Sequence, residues 1–174
     1  MKDSSEPALQ QVEAEPYVAA RAGVSMDTFR SVVDSNFSRS FQWLAKEGLA
    51  PAGPPFIRYL SLDANGEPDR IELGVCVAHP GEPGDGLGGG EVPAGEYVIY
   101  THVGPYIHAE LEDLEDATDK VLAWARDQGI ELSVSAREGG GQKLGASFEF
   151  YPVDPMSEDD FTKWETKIMM MTGA

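Results

Sequence analysis

Near the end of the 174-residue chain, the stretch Phe148-Glu149-Phe150-Tyr151 alternates large apolar and polar side chains. Successive side chains of a strand point to opposite faces, so Phe148 and Phe150 share one face and Glu149 and Tyr151 the other. Earlier, Ile71, Leu73, Val75 and Val77 form an apolar set opposite Glu72, Gly74 and Cys76. With the apolar sets turned toward helices, Glu149, Tyr151, Glu72 and Tyr59 are expected to line the other face of the sheet. A carboxylate flanked by aromatic rings suits a flat cationic or hydrophobic compound. The rings supply stacking and cation–π attraction, and the carboxylate offsets the cost of desolvating the ligand's charge. The same surroundings raise a carboxylate's pKa, which makes Glu149 a candidate general base toward water, with Tyr151 polarising a leaving oxygen. The competing expectation is a solvated Glu149 on an exposed sheet face.

Other arrangements of reactive residues are weak. Cys76 is the single cysteine and lies in an apolar run, so neither a disulfide framework nor a multi-cysteine metal site is available. A buried, inert thiol is expected there. His79, His102 and His108 do not fall at paired ligand spacing, and there is no Gly-x-Ser-x-Gly nucleophile motif. Gly84-Asp85-Gly86-Leu87-Gly88-Gly89-Gly90 is rich enough in glycine to suggest a phosphate loop. It leads into neither a helix nor a Gly-Lys-Ser/Thr sequence, so it is rejected. No cofactor or metal is expected.

Thirteen Lys and Arg stand against thirty Asp and Glu, a formal net charge of −17. Such a surface repels phosphate backbones and anionic membranes, so neither nucleic acid nor membrane is an expected partner. Cationic small molecules or a basic protein surface are favoured, although solubility alone accounts for most of the charge. Hydrophobic residues make up 41% of the chain, enough for a packed core. The N-terminal residues lack the apolar core of a secretory signal, and a cytoplasmic location is expected.

The elements that must position these residues follow from periodicity. Tyr17 to Val24 reads as a strand. Apolar residues at Phe29, Val32/Val33, Phe37, Phe41 and Leu44 recur at helical spacing from Met26 to Glu47, with Ser25 as N-cap and Gly48 as the stop. Strands are expected at Phe56–Leu60 and Arg70–Ala78, joined by a turn at Asp63-Ala64-Asn65-Gly66-Glu67. A Gly/Pro-rich loop follows from His79 to Gly95, then a strand from Glu96 to Val103. A helix is expected from Tyr106 to Gln128, with Leu111, Leu114, Thr118, Val121/Leu122 and Ala125 on one face. A short strand at Ser147–Tyr151, a turn, and a final edge strand within Thr162–Met171 complete the chain.

The two halves echo one another. Tyr17-Val18-Ala19-Ala20 is matched by Tyr97-Val98-Ile99-Tyr100, Trp43 and Gly48 by Trp124 and Gly129, and Phe56-Ile57-Arg58-Tyr59 by Phe148-Glu149-Phe150-Tyr151. The expected fold is α+β: two duplicated β-α-β-β halves, about 9–79 and 95–174, related by a pseudo-twofold and joined by the loop 80–94. Their antiparallel-rich sheet would carry both helices on one face and a ligand groove on the other, in a single domain 9–174 after a disordered stretch 1–8.

Several short motifs resemble a known family. Val92-Pro93-Ala94-Gly95-Glu96-Tyr97, His102-Val103-Gly104-Pro105-Tyr106, Trp124 and Gly129-Ile130 resemble the GyrI-like small-molecule-binding domain, related to the effector-binding modules of AraC-type and MerR-type regulators. Phe148-Glu149-Phe150-Tyr151-Pro152-Val153-Asp154-Pro155 is similar to its late Glu-x-Tyr-x-x-Asp-Pro strand, and Pro54-Pro55-Phe56 with Glu72-Leu73-Gly74-Val75 to its first hairpin. The resemblance implies the duplicated fold and a groove whose glutamate contacts cationic or aromatic ligands. Glu149 matches that glutamate and Tyr151 an aromatic neighbour; Tyr59 and Trp43 are weaker matches. No helix-turn-helix segment is recognisable, so the chain is similar to stand-alone members.

Three functions are compatible with these observations. The first is a binder of hydrophobic, often cationic aromatic molecules, acting in sequestration or resistance to toxic compounds. The second is a hydrolase that opens strained cyclopropane-bearing genotoxins with Glu149 and Tyr151. The third is an acidic, gyrase-inhibitor-like protein that occupies a basic groove of a protein partner.

Overall fold

A computed structural model describes residues 6–84 and 86–173. The elements, in order, are β1 (Ala8–Val12), β2 (Glu15–Gly23), α1 (Phe29–Glu47), β3 (Pro55–Leu62), β4 (Pro68–Cys76), β5 (Leu87–Val92), β6 (Gly95–Val103), α2 (Leu114–Asp127), β7 (Val134–Ala136), β8 (Gln142–Leu144), β9 (Ser147–Val153) and β10 (Glu165–Met171). The expected frayed stretch falls outside the described residues at 1–5; of the remainder, Pro7 is buried and Ala8 opens β1.

The strands form one antiparallel sheet in the order β1-β6-β10-β9-β3-β4-β2-β5, with the β7–β8 hairpin attached through β8 to β3. Four strands were absent from the periodicity reading, the short β7 and β8 and the two at the sheet edges. β1 lies at one edge, paired with β6 from Ala8 against Ile99 to Val12 against Gly95. β5 lies at the other, paired with β2 from Glu15 against Val92 to Ala20 against Leu87. Each of these strands therefore precedes one half in sequence and borders the other half in space. β5 occupies part of the stretch expected to be loop, because backbone pairing with β2 outweighs the low strand propensity of Gly88, Gly89 and Gly90. With both edges taken, β10 is an interior strand between β6 and β9 rather than an edge.

Both faces of the sheet are buried. On one, Trp43 and Leu44 of α1 pack on Val18, Ala20, Val75 and Val77, while Ala117, Val121 and Ala125 of α2 pack on Val98, Tyr100 and Ile168. On the other, Tyr17, Phe56, Cys76, Val92, Tyr97, Phe148, Phe150 and Met169 form a core that contains no helix residue. Eight strands contribute to this core or pack against it, so the sheet curls about it as a half-barrel. The stacked pair Phe148–Phe150, with centroids 5.5 Å apart, therefore turns away from the helices, opposite to the expected orientation. Cys76 is buried there as expected, and its thiol pKa is pushed up to about 12 by burial and by Glu15.

Both helices start later than their periodicity implies. Residues 26–28 form a turn, and Phe29 N donates to Ser25 O at 2.9 Å. Within α1 the buried stripe includes Asn36 and Ser40 rather than Phe41, which stays exposed; Ser40 Oγ donates to Leu73 O at 3.1 Å. Gly48 ends α1 at φ 68°, the left-handed conformation expected of its stop. The larger difference is at α2, where residues 106–113 are irregular and Leu111 is exposed. Asp113 supplies the reason. Its side chain accepts from Asp116 N at 3.0 Å, and its own N–H donates to Asp116 Oδ2 at 3.1 Å, a reciprocal cap that sets the first turn at Leu114.

Asp113→Ala is expected to lower unfolding stability by about 1 kcal/mol. A urea midpoint that does not move would show that this cap does not define the start of α2.

Candidate functional site

Glu149 lies at the centre of the sheet, opposite Ile57 of β3 on one side and Ile168 of β10 on the other. Both isoleucines belong to clusters that pack on the helices, so Glu149 lies on the helix-covered face. Tyr59 and Tyr151 share that face and pack with Phe29, Val33 and Phe37 of α1. The expectation of a groove on the face away from the helices is thus corrected for these three residues. The reason is the aromatic core of the other face, which claims Phe148 and Phe150 and leaves their alternates for the helix side.

The two tyrosines converge on one oxygen. Tyr59 OH donates to Glu149 Oε1 at 2.8 Å and Tyr151 OH at 2.7 Å. Glu149 Oε2 accepts a hydrogen bond from none of the described residues, yet Glu149 keeps some accessible surface. Burial raises its pKa above the ordinary carboxylate range, against the opposing influence of hydrogen bonds from Tyr151 and Tyr59 and the nearby charge of His102. The carboxylate is thus strongly desolvated in a residue that is not fully buried. Burial and then the Glu149 charge push both tyrosine hydroxyls well above their ordinary range, so they are donors and not anions.

Aromatic rings cluster around Tyr151, the neighbour of this carboxylate. Phe37 of α1 stands edge-on to Tyr151 at 6.4 Å, and Tyr106 of the 104–113 segment at 6.0 Å. Tyr106 also lies 4.9 Å from Trp164, which contacts Phe161 at 6.2 Å. The Trp164 indole is held by its bond to Glu158 O at 2.7 Å. Burial raises the pKa of the Tyr106 hydroxyl, with further contributions from Asp154 and Glu149, which places the ring within electrostatic reach of the carboxylate.

Of the residues singled out in the sequence, Glu149, Tyr151 and Tyr59 come together. Glu72 and Trp43 do not join them. Glu72 lies on the opposite face, accepting from Tyr17 OH at 2.5 Å and pairing with Arg21 at 2.9 Å. Arg58 donates to the same tyrosine hydroxyl and covers the Phe148 ring. Trp43 is buried in the contact of α1 with β2 and β4, where its bulk packs the core. Phe37, Tyr106 and Trp164 were missed as site residues. Tyr106 carries a readable signal, since Gly104-Pro105 just before it breaks a helix. The role of Trp164 depends on how the last segment folds back, which no local pattern encodes. Among the described residues, no three His, Cys, Asp or Glu side chains are placed to hold a metal ion. Nor is any helix among them long and apolar enough to cross a membrane.

The sequence profile of the GyrI-like small molecule binding domain matches residues 5–172. Among curated proteins, none matches in sequence. Solved structures show the same fold. The crystal structure of the EcmrR C-terminal domain superposes with a TM-score of 0.75 at 17% identity, covering 97% of both chains. EcmrR in a cryo-EM complex with DNA gives 0.74 at 19% identity; the match covers 96% of this chain and 57% of EcmrR, so the chain spans little over half of that protein. SAV2435 bound to tetraphenylphosphonium gives 0.56 at 13% identity over 97% of this chain and 94% of that one. A structure described as a hydrolase from Listeria innocua gives 0.59 at 12% identity, over 97% of this chain and 92% of that one.

Because the folded-state pKa of Glu149 is raised, its ionisation penalises the fold. The relative stability it confers is fully present below the unfolded pKa and is lost as pH rises through the folded value. Glu149→Gln is therefore expected to raise the melting temperature at neutral pH, with the gain disappearing below about pH 4, where the carboxyl becomes protonated in both states. Calorimetry of the two proteins across that range checks the sign. A variant less stable than wild type at neutral pH would mean that the tyrosine–carboxylate bonds outweigh desolvation.

Proposed function

As the chain belongs to the family of GyrI-like small molecule binding domains, we propose that it captures hydrophobic, often cationic aromatic molecules over Glu149, in sequestration of or resistance to toxic compounds. The observation that carries this reading is the division of labour at the carboxylate. Tyr59 and Tyr151 occupy Oε1, while Oε2 accepts from none of the described residues, and Phe37 and Tyr106 stand edge-on to Tyr151 beside it. A lipophilic cation entering there gains ring contacts and a counter-charge whose strength is enhanced by the low local dielectric. It also removes a penalty, because a bound cation compensates a carboxylate that the fold otherwise desolvates. The chain's net charge of −17 raises the local concentration of such cations. Tetraphenylphosphonium, bound by SAV2435 on the same fold, is an aromatic cation without hydrogen-bond donors, and it is the natural first probe here.

Tetraphenylphosphonium is expected to quench the tryptophan fluorescence at micromolar concentration, since Trp164 lies beside Tyr106. Glu149→Gln should weaken the complex at least tenfold, about 1.4 kcal/mol, and the neutral triphenylphosphine oxide should be nearly indifferent to the change. Affinity for the cation should fall as pH is lowered through the raised pKa of Glu149, because protonation removes the counter-charge. Equal affinity of wild type and Glu149→Gln at neutral pH would refute the reading.

A hydrolytic reading draws on the same raised pKa. An accessible carboxylate oxygen with a raised pKa is a stronger base toward water, and a protein of this fold is described as a hydrolase. A strained cyclopropane conjugated to a carbonyl would be the substrate: Glu149 takes the proton from water as its oxygen bonds to a ring carbon, the ring C–C bond breaks, and its electron pair passes to the carbonyl oxygen polarised by Tyr151. Mass spectrometry of such compounds incubated with wild type and Glu149→Gln separates the readings: conversion lost in the variant indicates the hydrolase, and an intact compound indicates the binder.

A further inference from the structure

Residues 104–113 carry Tyr106 onto Tyr151 and Trp164, and so form part of the cover over Glu149. The segment is irregular, and Ile107, next to Tyr106, is 89% exposed. Backbone bonds hold each end. Gly104 N donates to Trp164 O at 2.8 Å, and Leu114 N to Tyr106 O at 3.1 Å. Glu112 is also held by Tyr100 OH at 3.0 Å and Lys120 at 3.6 Å, and the His108 ring lies 5.7 Å from Phe161. The side chain that bonds to both ends is His102, which is completely buried in β6. Its Nε2 lies 2.9 Å from Pro105 O, at the start of the segment, and its Nδ1 lies 3.1 Å from Glu112 Oε2, near the end.

Neither partner can donate. Pro105 O is a carbonyl. Burial works against ionisation of Glu112, but hydrogen bonds from His102 and Tyr100 and the Lys120 charge outweigh it and hold Glu112 below the ordinary range. A neutral imidazole has one N–H and one lone pair, so it would set a lone pair against one of these acceptors. The imidazolium alone donates to both. The backbone is shaped to the ring as well: Gly104 has φ +145°, and a side chain there would meet His102 Cε1 at 3.3 Å.

We propose that His102, as an imidazolium bridging Pro105 O and Glu112, is the latch that positions the 104–113 segment and holds Tyr106 over Glu149. His102 is a positioning residue, and a bulky ligand reaches Glu149 only when this tie lets go. The consequence for ligand entry rests on the binding function proposed above; the latch itself does not. The titratable groups around His102 are Glu112 of the segment, Tyr100 of β6, which also donates to Glu112, Lys120 of α2, 3.6 Å from Glu112 Oε1, and Glu149 of β9, which senses the His102 charge. From β10, the register partner is Thr166, whose hydroxyl is buried without a hydrogen-bond partner. Loss of the imidazolium proton removes one of the two His102 hydrogen bonds and loosens the segment at that end.

Nitrogen-15 spectra of the histidines give the first test: His102 should show two protonated ring nitrogens at neutral pH, and a neutral tautomer would overturn the proposal. Hydrogen exchange gives the second. Protection of the 104–113 amides, measured against that of α2, should fall about tenfold once the imidazolium is deprotonated at raised pH, the worth of one charge-assisted hydrogen bond. His102→Gln and Glu112→Gln should abolish this pH dependence, and the wild-type series stands even where a variant fails to fold. Protection that is independent of pH in wild type would overturn the latch. Stopped-flow entry of tetraphenylphosphonium should be faster in Glu112→Gln, and equal rates would refute the role in entry. No binding of the cation to wild type, with the exchange results as expected, would end the binding reading and leave the latch standing.

Discussion

The pairing of β3 with β9 at the middle of the sheet governs the rest of the structure. Phe56 faces Phe150, Ile57 faces Glu149, and Arg58 faces Phe148. This register joins the two halves, and strand alternation then sends aromatic rings to one side and a carboxylate to the other. In a sheet with one wet face the carboxylate would simply be solvated. Here both faces are buried, one by helices and one by the curl of the sheet, so Glu149 loses most of its bulk water. The desolvated acid is a consequence of register, and the site follows from it.

The fold supports that acid without neutralising it. Two tyrosine hydroxyls donate to one oxygen, which is enough to orient the carboxylate and too little to offset its desolvation. On the opposite face, Glu72 has an arginine partner and a tyrosine donor. The contrast is physical: one glutamate is paired within the chain, and the other has no counter-charge in contact with it among the described residues.

The two edge strands account for how such a sheet holds together. β1 and β5 each border the half to which they do not lead, so the order of strands is unchanged when β1, β2, β3 and β4 are exchanged with β5, β6, β9 and β10. An edge strand donated in this way ties the halves by backbone pairing as well as by the β3–β9 seam. It also leaves β10 inside the sheet, where Met169 and Met171 fill the aromatic core from one side and Ile168 supports the α2 contact from the other. Pairing across such distances in sequence has no local signature. β5 shows this plainly: a run of three glycines reads as loop until β2 is placed beside it.

Local chemistry made part of this protein legible in its sequence. Alternation put Glu149 and Tyr151 on one side of a strand, helical spacing located α1 and most of α2, and Asp63 to Glu67 read as the turn it is, with Asp63 Oδ1 accepting from Asn65 N and Glu67 N. The late start of α2 was written in the Asp113–Asp116 cap, although apolar spacing masked it. What the sequence could not decide was which side of the alternation meets the helices. Phe148 and Phe150 are large and apolar, so they demand burial, but a core of strands satisfies that demand as well as a helix does. Only the curl of the sheet, a property of all its strands together, assigned the aromatic rings to one core and brought Tyr59, Phe37, Tyr106 and Trp164 around the carboxylate. Burial is non-directional and blind to what does the burying. The sequence therefore determined which side chains stand together on a strand, and the tertiary structure decided what they face.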